Sequence, residues 1–311
     1  MKVAILIPCY NEGRTVGHVV KGFRAALPTA CIYVYDNESK DETARVATEA
    51  GAIVRNEPAH GKGSAVRRMF AEIDADYYFL VDGDGTYDPS IAPHMLNMAS
   101  EQRLAMLVGK REASSSGAYR GGHRFGNRMF TSAVSFLFGS SLHDILSGYR
   151  VLSREFVKSF PGFSAGFEIE TELTVHALTL RLPVAEIPTV YRERPDGSSS
   201  KLNKYSDGSR ILWTIFTLSK NERPLFFFSL WSLAFLIASL ILAYPIVVTF
   251  LETGLVPRFP TAILATGLAI SAMILLACGL ILDTVTKGRR EIKLLQYLNN
   301  PTSNPTSPPQ K

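Results

Sequence analysis

Five short apolar runs, VAILIP (3–8), CIYVYD (31–36), AIV (52–54), YYFLVD (77–82) and LAMLVG (104–109), recur through the first third of the chain with stretches of helical character between them. Nearly continuous apolar strands alternating with helices predict an α/β domain built on a mostly parallel sheet. ETARVATEAG (42–51) consists of helix-forming residues, follows two candidate caps, Ser39 and Asp41, and meets a natural stop at Gly51. Ligands on such sheets bind outside the carboxyl ends of the strands, where Asn11, Asp36 and the 82–84 segment all fall. Residues 110–206 are less regular. ASSSGAYRGGHRFGNR (113–128) has the composition of a mobile loop, FEIETELTVHALTL (167–180) predicts a helix, and PVAEIPTVYRER (183–194) a final strand.

The pattern changes near residue 207. DGSRILWTIFTLSKN (207–221) sets Ile211, Leu212, Ile215 and Leu218 at helical spacing with Trp213 and Lys220 available at an interface, which predicts a helix lying on a membrane. Residues 226–251 and 259–282 carry no charge. At about 1.5 Å per residue even the shorter run reaches roughly 36 Å as a helix, more than the roughly 30 Å of hydrocarbon to be crossed. Lys201, Lys204, Arg210, Lys220 and Arg223 precede the first run, Lys287, Arg289, Arg290 and Lys293 follow the second, and Arg258 alone lies between. By the positive-inside rule both flanks face the cytoplasm. The VAILI run before Pro8 is too short for a signal-peptide core. NNPTSNPTSPPQK (299–311) predicts a disordered end.

Charge and cysteine content narrow the class. A net charge of +5, with its surplus beside the apolar runs, suits an anionic leaflet rather than nucleic acid, and no nucleic-acid motif is present. Cys9, Cys31 and Cys278 show no paired spacing, so neither a disulfide framework nor a zinc site is expected.

The candidate chemistry sits at the strand ends. FLVDGDGTYDP places Asp82 and Asp84 two apart after an apolar strand, with Gly83 and Gly85 allowing a sharp turn, so that two carboxylates meet one cation. Hard oxygen ligands favour Mg²⁺ or Mn²⁺, which completes its shell with substrate phosphates. Lys62 between Gly61 and Gly63 offers a cation with close backbone access, as phosphate-cradling loops do. Asp36 is placed to accept hydrogen bonds from a base or ribose, with Glu12 near by. No GxGxxG follows the first strand, which argues against a dinucleotide dehydrogenase. Arg111, Arg124 and Arg128 flank the Gly/Ser-rich loop, with Ser132 one helical turn beyond Arg128.

IPCYNE (7–12), YDNESKDET (35–43) and HGKGSAVR (60–67) precede DGDG in that order, and together they resemble the family 2 glycosyltransferases of GT-A fold. GKR (109–111), DILSGYRVLSR (144–154), GFEIETEL (166–173) and YRERPDGSSSKL (191–202) resemble the branch of dolichol-phosphate mannosyltransferase and bacterial polyprenyl-phosphate glycosyltransferases. The likeness covers roughly residues 3–215. It implies a nucleotide site at Pro8, Tyr10, Glu12, Asp36, Asn37, Lys62, Asp82 and Gly83, with a metal at Asp82 and Asp84. It also implies that Arg111, Arg128 and Ser132, with Arg124 beside them, hold an acceptor phosphate, and that Arg194, Ser199 and Lys201 approach the donor pyrophosphate. Asp144 matches the place of the catalytic base in hydroxyl-transferring relatives; the alternative is that it orients an arginine such as Arg150. Thr86 departs from the glutamine that related mannosyltransferases often carry. Glu168, Glu170 and Glu172, spread over different helix faces, read mostly as structural or surface residues.

The resemblance implies an enzyme whose residues 1–206 form a cytoplasmic GT-A catalytic domain, 207–224 an interfacial amphipathic helix, 225–284 two transmembrane helices and 285–311 a cytoplasmic tail. The expected reaction is inverting transfer from a UDP-sugar or GDP-mannose to a polyprenyl phosphate, with catalysis centred on Asp84, Arg128 and Asp144. A phosphate monoester is already anionic near neutral pH, its second pKa being about 6, and needs no strong base. Transfer to a hydroxyl with Asp144 as base is the alternative, and a membrane scaffold that only binds nucleotide is a second. The lipid bilayer is the expected partner, self-association into a homo-oligomer stays open, and nucleic acid is not expected.

Overall fold

The structure is a computed structural model that describes residues 1–113, 131, 132, 134, 138, 139, 142–162, 166, 168–192, 213, 216, 217 and 219–300. Arg124, Arg128, Arg194, Ser199 and Lys201 lie outside the described residues, as do most of the 113–128 loop, much of the expected interfacial helix and residues 301–311. The chain divides into two compact units, 1–208 with 292–311, and 209–291.

The first unit is a seven-stranded sheet flanked by helices. Its chain order is β1 (Val3–Cys9), α1 (Val16–Ala26), β2 (Cys31–Asp36), α2 (Thr43–Glu49), β3 (Ile53–Asn56), α3 (Lys62–Glu72), β4 (Tyr77–Leu80), a 3₁₀ turn (Pro89–Ile91), α4 (Ala92–Glu101), β5 (Met106–Ala113), β6 (Arg150–Ser153), α5 (Arg154–Ser159), α6 (Ile169–Thr179) and β7 (Val184–Tyr191). The spatial order is β3-β2-β1-β4-β6-β5-β7. β1 and β4 are buried along their whole length, as central strands covered on both faces must be, and both read as unbroken apolar runs. β3, at the margin, is short and largely exposed. Val16, Val19, Val20 and Phe23 form the buried stripe of α1, and they join Ile5, Ile7, Val34 and Phe79 in the main core.

β6 reverses the sheet locally. It pairs antiparallel with β4, Leu80 opposite Arg150, and antiparallel with β5, while β5 and β7 pair parallel. The start of β6 therefore lies beside the end of β4, and the segment entering β6 reaches the same edge as the Asp82–Asp84 turn.

The second unit contains the long helix α7 (Pro224–Thr253) and most of α8 (Phe259–Leu298). Each has a window of mean hydropathy above 2 and is long and apolar enough to cross a membrane. Their mutual face is a seam of small residues seven apart: Ser232 and Ser239 on α7, and Ala265, Ala272, Gly279 and Thr286 on α8, are buried. Ser232 Oγ donates to the Ala272 carbonyl and Ser239 Oγ to the Ala265 carbonyl, each at 2.7 Å. Small side chains let the backbones approach, and hydroxyls bonded to carbonyls leave no unpaired donor in an apolar layer.

Candidate active site

The β1–α1 turn opens the site. Asn11 has a positive φ of 52°, a conformation Asn tolerates. Its amide donates to Ser39 Oγ at 2.8 Å and its side-chain oxygen accepts from the Lys40 amide at 2.7 Å. Glu12 N donates to Thr43 Oγ1 at 2.9 Å and Gly13 N to Asp41 Oδ2 at 3.0 Å. Residues 39–43 thus brace this turn; the N-cap position of α2 is Glu42, whose own side chain makes no capping bond, and Asp41 Oδ1 accepts from the Thr43 amide at 3.1 Å. Asp36 ends β2 and accepts from the Ser39 amide at 3.2 Å. The Asn37 amide group is committed to the chain: Nδ2 donates to the carbonyls of Glu57 and Ala59 at 2.8 Å, and Oδ1 accepts from the Gly61 amide at 2.6 Å. It holds the loop leading to α3. Tyr10 is exposed and Pro8 is buried within β1.

The Asp82–Asp84 turn is locked from both sides. Thr15 Oγ1, from the start of α1, donates to the Gly83 carbonyl at 2.6 Å. A Cβ at Gly83 would stand 2.5 Å from Cys9 Sγ, and one at Gly148 would overlap the Asp82 carboxylate, so both positions require glycine for close approach. Lys62, first residue of α3, pairs with both Asp82 and Glu170. Burial by itself would lower the pKa of the Lys62 ammonium, but the two carboxylates outweigh it and hold the group above its usual range. Lys62 is therefore ion-paired with the carboxylates of two other elements. Glu170 is 4% exposed and faces the site from α6, unlike its neighbours Glu168 and Glu172, which are half-buried. Asp84 is 2% exposed, and its Oδ1 accepts from Thr86 N at 3.1 Å and Thr86 Oγ1 at 2.7 Å.

The other side of the rim centres on β5 and the segment entering β6. Arg111 Nε and Nη2 donate to Asp144 Oδ2 and Oδ1, each at 2.8 Å, and Arg111 N donates to Oδ2 at 3.1 Å. Glu186 of β7 fixes the backbone beneath, accepting from the His143 and Asp144 amides at 2.8 Å. The arginine oriented by Asp144 is thus Arg111. Arg150 is fully buried and serves the loop itself, donating to the carbonyls of Ile145 at 2.6 Å and Ser147 at 2.9 Å and to Thr174 Oγ1 at 2.9 Å. Burial lowers its pKa to about 10, which still leaves it charged. Ser147 Oγ donates to the Gly109 carbonyl at 2.6 Å, and Gly148 N to the Tyr87 hydroxyl at 2.9 Å. Ser132 is helical and exposed.

The edge therefore carries, in spatial order, Asp36 on β2, the Glu12 turn after β1, the two aspartates after β4, and Arg111 on β5 beside β7. Among the described residues no group of three His, Cys, Asp or Glu side chains is placed to hold a metal by itself. Asp82 and Asp84, with the Thr86 hydroxyl on Asp84, form a hard-oxygen set that fits a divalent cation sharing its shell with a diphosphate.

The sheet, its order and its strand-end turns form a GT-A architecture. Residues 4–160 match the family described as Glycosyl transferase family 2, and the chain belongs to that family. It is similar to the glycosyltransferase AglJ of Haloferax volcanii, 38% identical over 228 residues that span 73% of this chain and 75% of that protein. A dolichyl-phosphate hexose transferase of the same organism is 26% identical over 71% of this chain and 95% of its own length. Among solved structures, Mycobacterium tuberculosis glucosyl-3-phosphoglycerate synthase in complex with Mn²⁺ and UDP-glucose shares the fold, with a TM-score of 0.55, 21% identity, and coverage of 70% of this chain and 78% of that one.

Proposed function

We propose that the chain transfers a sugar, with inversion, from a nucleoside diphosphate to a polyprenyl phosphate at the cytoplasmic face of a membrane. The observation that carries the choice of acceptor is the Arg111–Asp144 fork. Both Asp144 oxygens accept guanidinium protons, so this carboxylate orients a cation and is poorly disposed to take a proton from a hydroxyl. A phosphate acceptor needs such a cation and no base. The likeness to a dolichyl-phosphate hexose transferase supports the same acceptor class, and the apolar helices α7 and α8 suit a lipid substrate.

Asp36, Glu12, Tyr10, Pro8 and Asn37 line the nucleotide end in this reading. Asp82, Asp84 and Gly83 receive the diphosphate with Mg²⁺ or Mn²⁺, which supplies neutralisation of the leaving group's charge. Lys62, held between Asp82 and Glu170, adds a cation at the same turn. Arg194, Ser199 and Lys201 belong with the donor pyrophosphate, and Arg111, Arg124, Arg128 and Ser132 with the acceptor phosphate. Arg111 presents its outer N–H groups to the acceptor while Asp144 fixes its plane, and the phosphate oxygen attacks the anomeric carbon as the nucleoside diphosphate leaves. The protein contributes alignment of two mutually repelling anions.

The test is to incubate membranes containing the chain with radiolabelled UDP-glucose, UDP-N-acetylglucosamine and GDP-mannose, then extract lipid. A labelled, mild-acid-labile polyprenyl phosphosugar is the expected product. Label in an acid-stable glycoside would point to a hydroxyl acceptor, and no transfer from any donor would refute the reading. A tag after Leu298 is expected to be labelled only when the inner membrane face is opened.

A further inference from the structure

Lys62 carries a buried cation between two carboxylates of different elements. Its side chain is 9% exposed, and the ammonium donates to Asp82 Oδ1 after β4 and to Glu170 Oε1 on the first turn of α6. The two anchors differ. The Asp82 side chain is 29% exposed and belongs to the aspartate turn, whereas that of Glu170 is 6% exposed and rises from a helix. Both ends of the Lys62–Glu170 pair are fixed from behind. The amide of Gly61, at the N-cap of α3, donates to Asn37 Oδ1 at 2.6 Å, and the Glu170 carbonyl accepts at 3.0 Å from Thr174 Oγ1, itself bonded to Arg150. Glu170 Oε2 is buried and, among the described residues, has no hydrogen-bond partner. A buried acceptor without a donor costs free energy. This one is idle although its own carboxylate already holds an ammonium, a group with three donors.

We propose that Glu170 is a positioning residue that takes over the Lys62 ammonium when the divalent cation and diphosphate claim Asp82, with Oε2 accepting the N–H that Asp82 releases. The inference rests on the functional reading above, in which Asp82 serves the metal. No proton moves; the ammonium changes its hydrogen-bond partner. Stripping a buried charge of its only counter-charge is costly, so Lys62 paired to Asp82 alone would compete with the metal for that carboxylate. Glu170 removes the competition, because Lys62 stays paired while Asp82 turns to the cation. It also keeps Lys62 at the turn, where an ammonium bonded to both Glu170 oxygens has one N–H left for a phosphate oxygen.

The test titrates the whole chain with Mn²⁺ in the presence of UDP or GDP, reading free Mn²⁺ by electron paramagnetic resonance, in wild type, Glu170→Gln, Lys62→Met and the double variant. Glu170→Gln is expected to weaken Mn²⁺ binding about tenfold while Lys62 is present, the lower end of what partners of a ligating carboxylate are worth. In the Lys62→Met background the same change is expected to cost less than about threefold, a coupling that plain attraction of Mn²⁺ by the Glu170 charge would not produce. Metal-free UDP affinity, read by calorimetry, is expected not to fall in Glu170→Gln. Wild-type Mn²⁺ affinity in Glu170→Gln, or an equal loss in both backgrounds, would overturn the proposal. So would a defect present with UDP-glucose and absent with UDP, which would assign Glu170 to the sugar, or loss of metal-free UDP affinity with a lowered melting temperature, the mark of a merely structural role. If Lys62→Met, which leaves Glu170 buried and unpaired, does not fold, the double variant decides: return of Mn²⁺ affinity to the wild-type value supports the hand-over, and no recovery over Glu170→Gln overturns it. Failure of the underlying functional reading is visible in the wild type alone, as absence of Mn²⁺-dependent UDP or GDP binding, and overturns the hand-over with it.

Discussion

Arg111 lays its guanidinium fork flat against Asp144, with Nε and Nη2 each 2.8 Å from a separate carboxylate oxygen and the backbone amide of Arg111 adding a third bond. Bidentate pairing of this kind fixes a plane as well as a distance. The remaining N–H groups of the fork then point in a defined direction, and Glu186 holds the His143–Asp144 backbone from the other side.

Asp144→Asn separates the orienting role from the basic one. Loss of the charged fork is expected to raise the acceptor KM about ten- to hundredfold, the worth of a charge-assisted hydrogen bond, with nucleotide affinity near wild type. A general base would behave differently: kcat would fall about 10²- to 10⁴-fold at steady KM. Steady-state kinetics over both substrates distinguish the two.

Thr86→Val removes the hydroxyl that donates to Asp84 while keeping the residue's shape. Partners that orient a ligating carboxylate are typically worth about 10- to 100-fold in metal affinity. Titration of Mn²⁺ in the presence of UDP or GDP, followed by electron paramagnetic resonance, is expected to show a loss within that range. Asp84→Ala is expected to abolish both the metal response and transfer, with the melting temperature little changed.

Arg150→Met tests the loop's internal brace. Methionine matches much of the volume but leaves the Ile145 and Ser147 carbonyls and Thr174 Oγ1 without their buried donor. A loss of about 3–5 kcal/mol in unfolding free energy is expected, measured by denaturant titration. Weakened transfer should accompany it, because the same loop carries Asp144.

His176 gives the catalytic unit a pH dependence. It is 3% exposed, contacts the rings of Phe156 and Phe160 edge-on, and accepts or donates one bond, to Ser159 Oγ at 3.0 Å. Burial, with a lesser contribution from Lys293, lowers its pKa from 6.5 to about 3. The unfolded chain therefore binds a proton that the folded one refuses. Stability contributed by the neutral ring is full above about pH 6.5 and is lost, at up to about 1.4 kcal/mol per pH unit, as the pH falls towards 3. His176→Phe is expected to flatten that slope between pH 6.5 and 4.5 in urea-midpoint measurements.

Much of the sheet can be read from the chain, because strands buried on both faces leave an apolar signature. β2 spans the residues expected of CIYVYD, and β1, β4 and β7 begin within one residue of the apolar runs that announce them. β6 does not announce itself. It has four residues, one of them an arginine, and its identity as a strand comes from pairing with β4 and β5, a tertiary fact. The same concealment misassigns the partner of Asp144: nothing in SGYRVLS says that Arg150 points into the core, whereas GKR gives no sign that Arg111 folds back by 33 residues to meet it. Glu170 was hidden for a related reason. Three glutamates at spacing two declare that only some face inward, and the choice is made by Lys62, which is 108 residues away in sequence. α8 runs on past the uncharged stretch to Leu298, since Lys, Arg and Glu continue a helix as readily as Leu does.

The reversed strand has a consequence for how the specificity of such a sheet can change. Chain leaves the functional rim after β1, β2 and β4, and an insertion there must also rejoin a helix on the way back. At β6 chain arrives instead, with residues 142–149 pinned along their length, by Glu186 at His143 and Asp144 and by Arg150 at Ile145 and Ser147. That stretch is held as one braced segment whose Gly148 packs on the Asp82 carboxylate, so a change of length within it is expected to disturb the aspartate turn as well. Grafts made just after Ser153 would land on the opposite rim and leave substrate choice untouched.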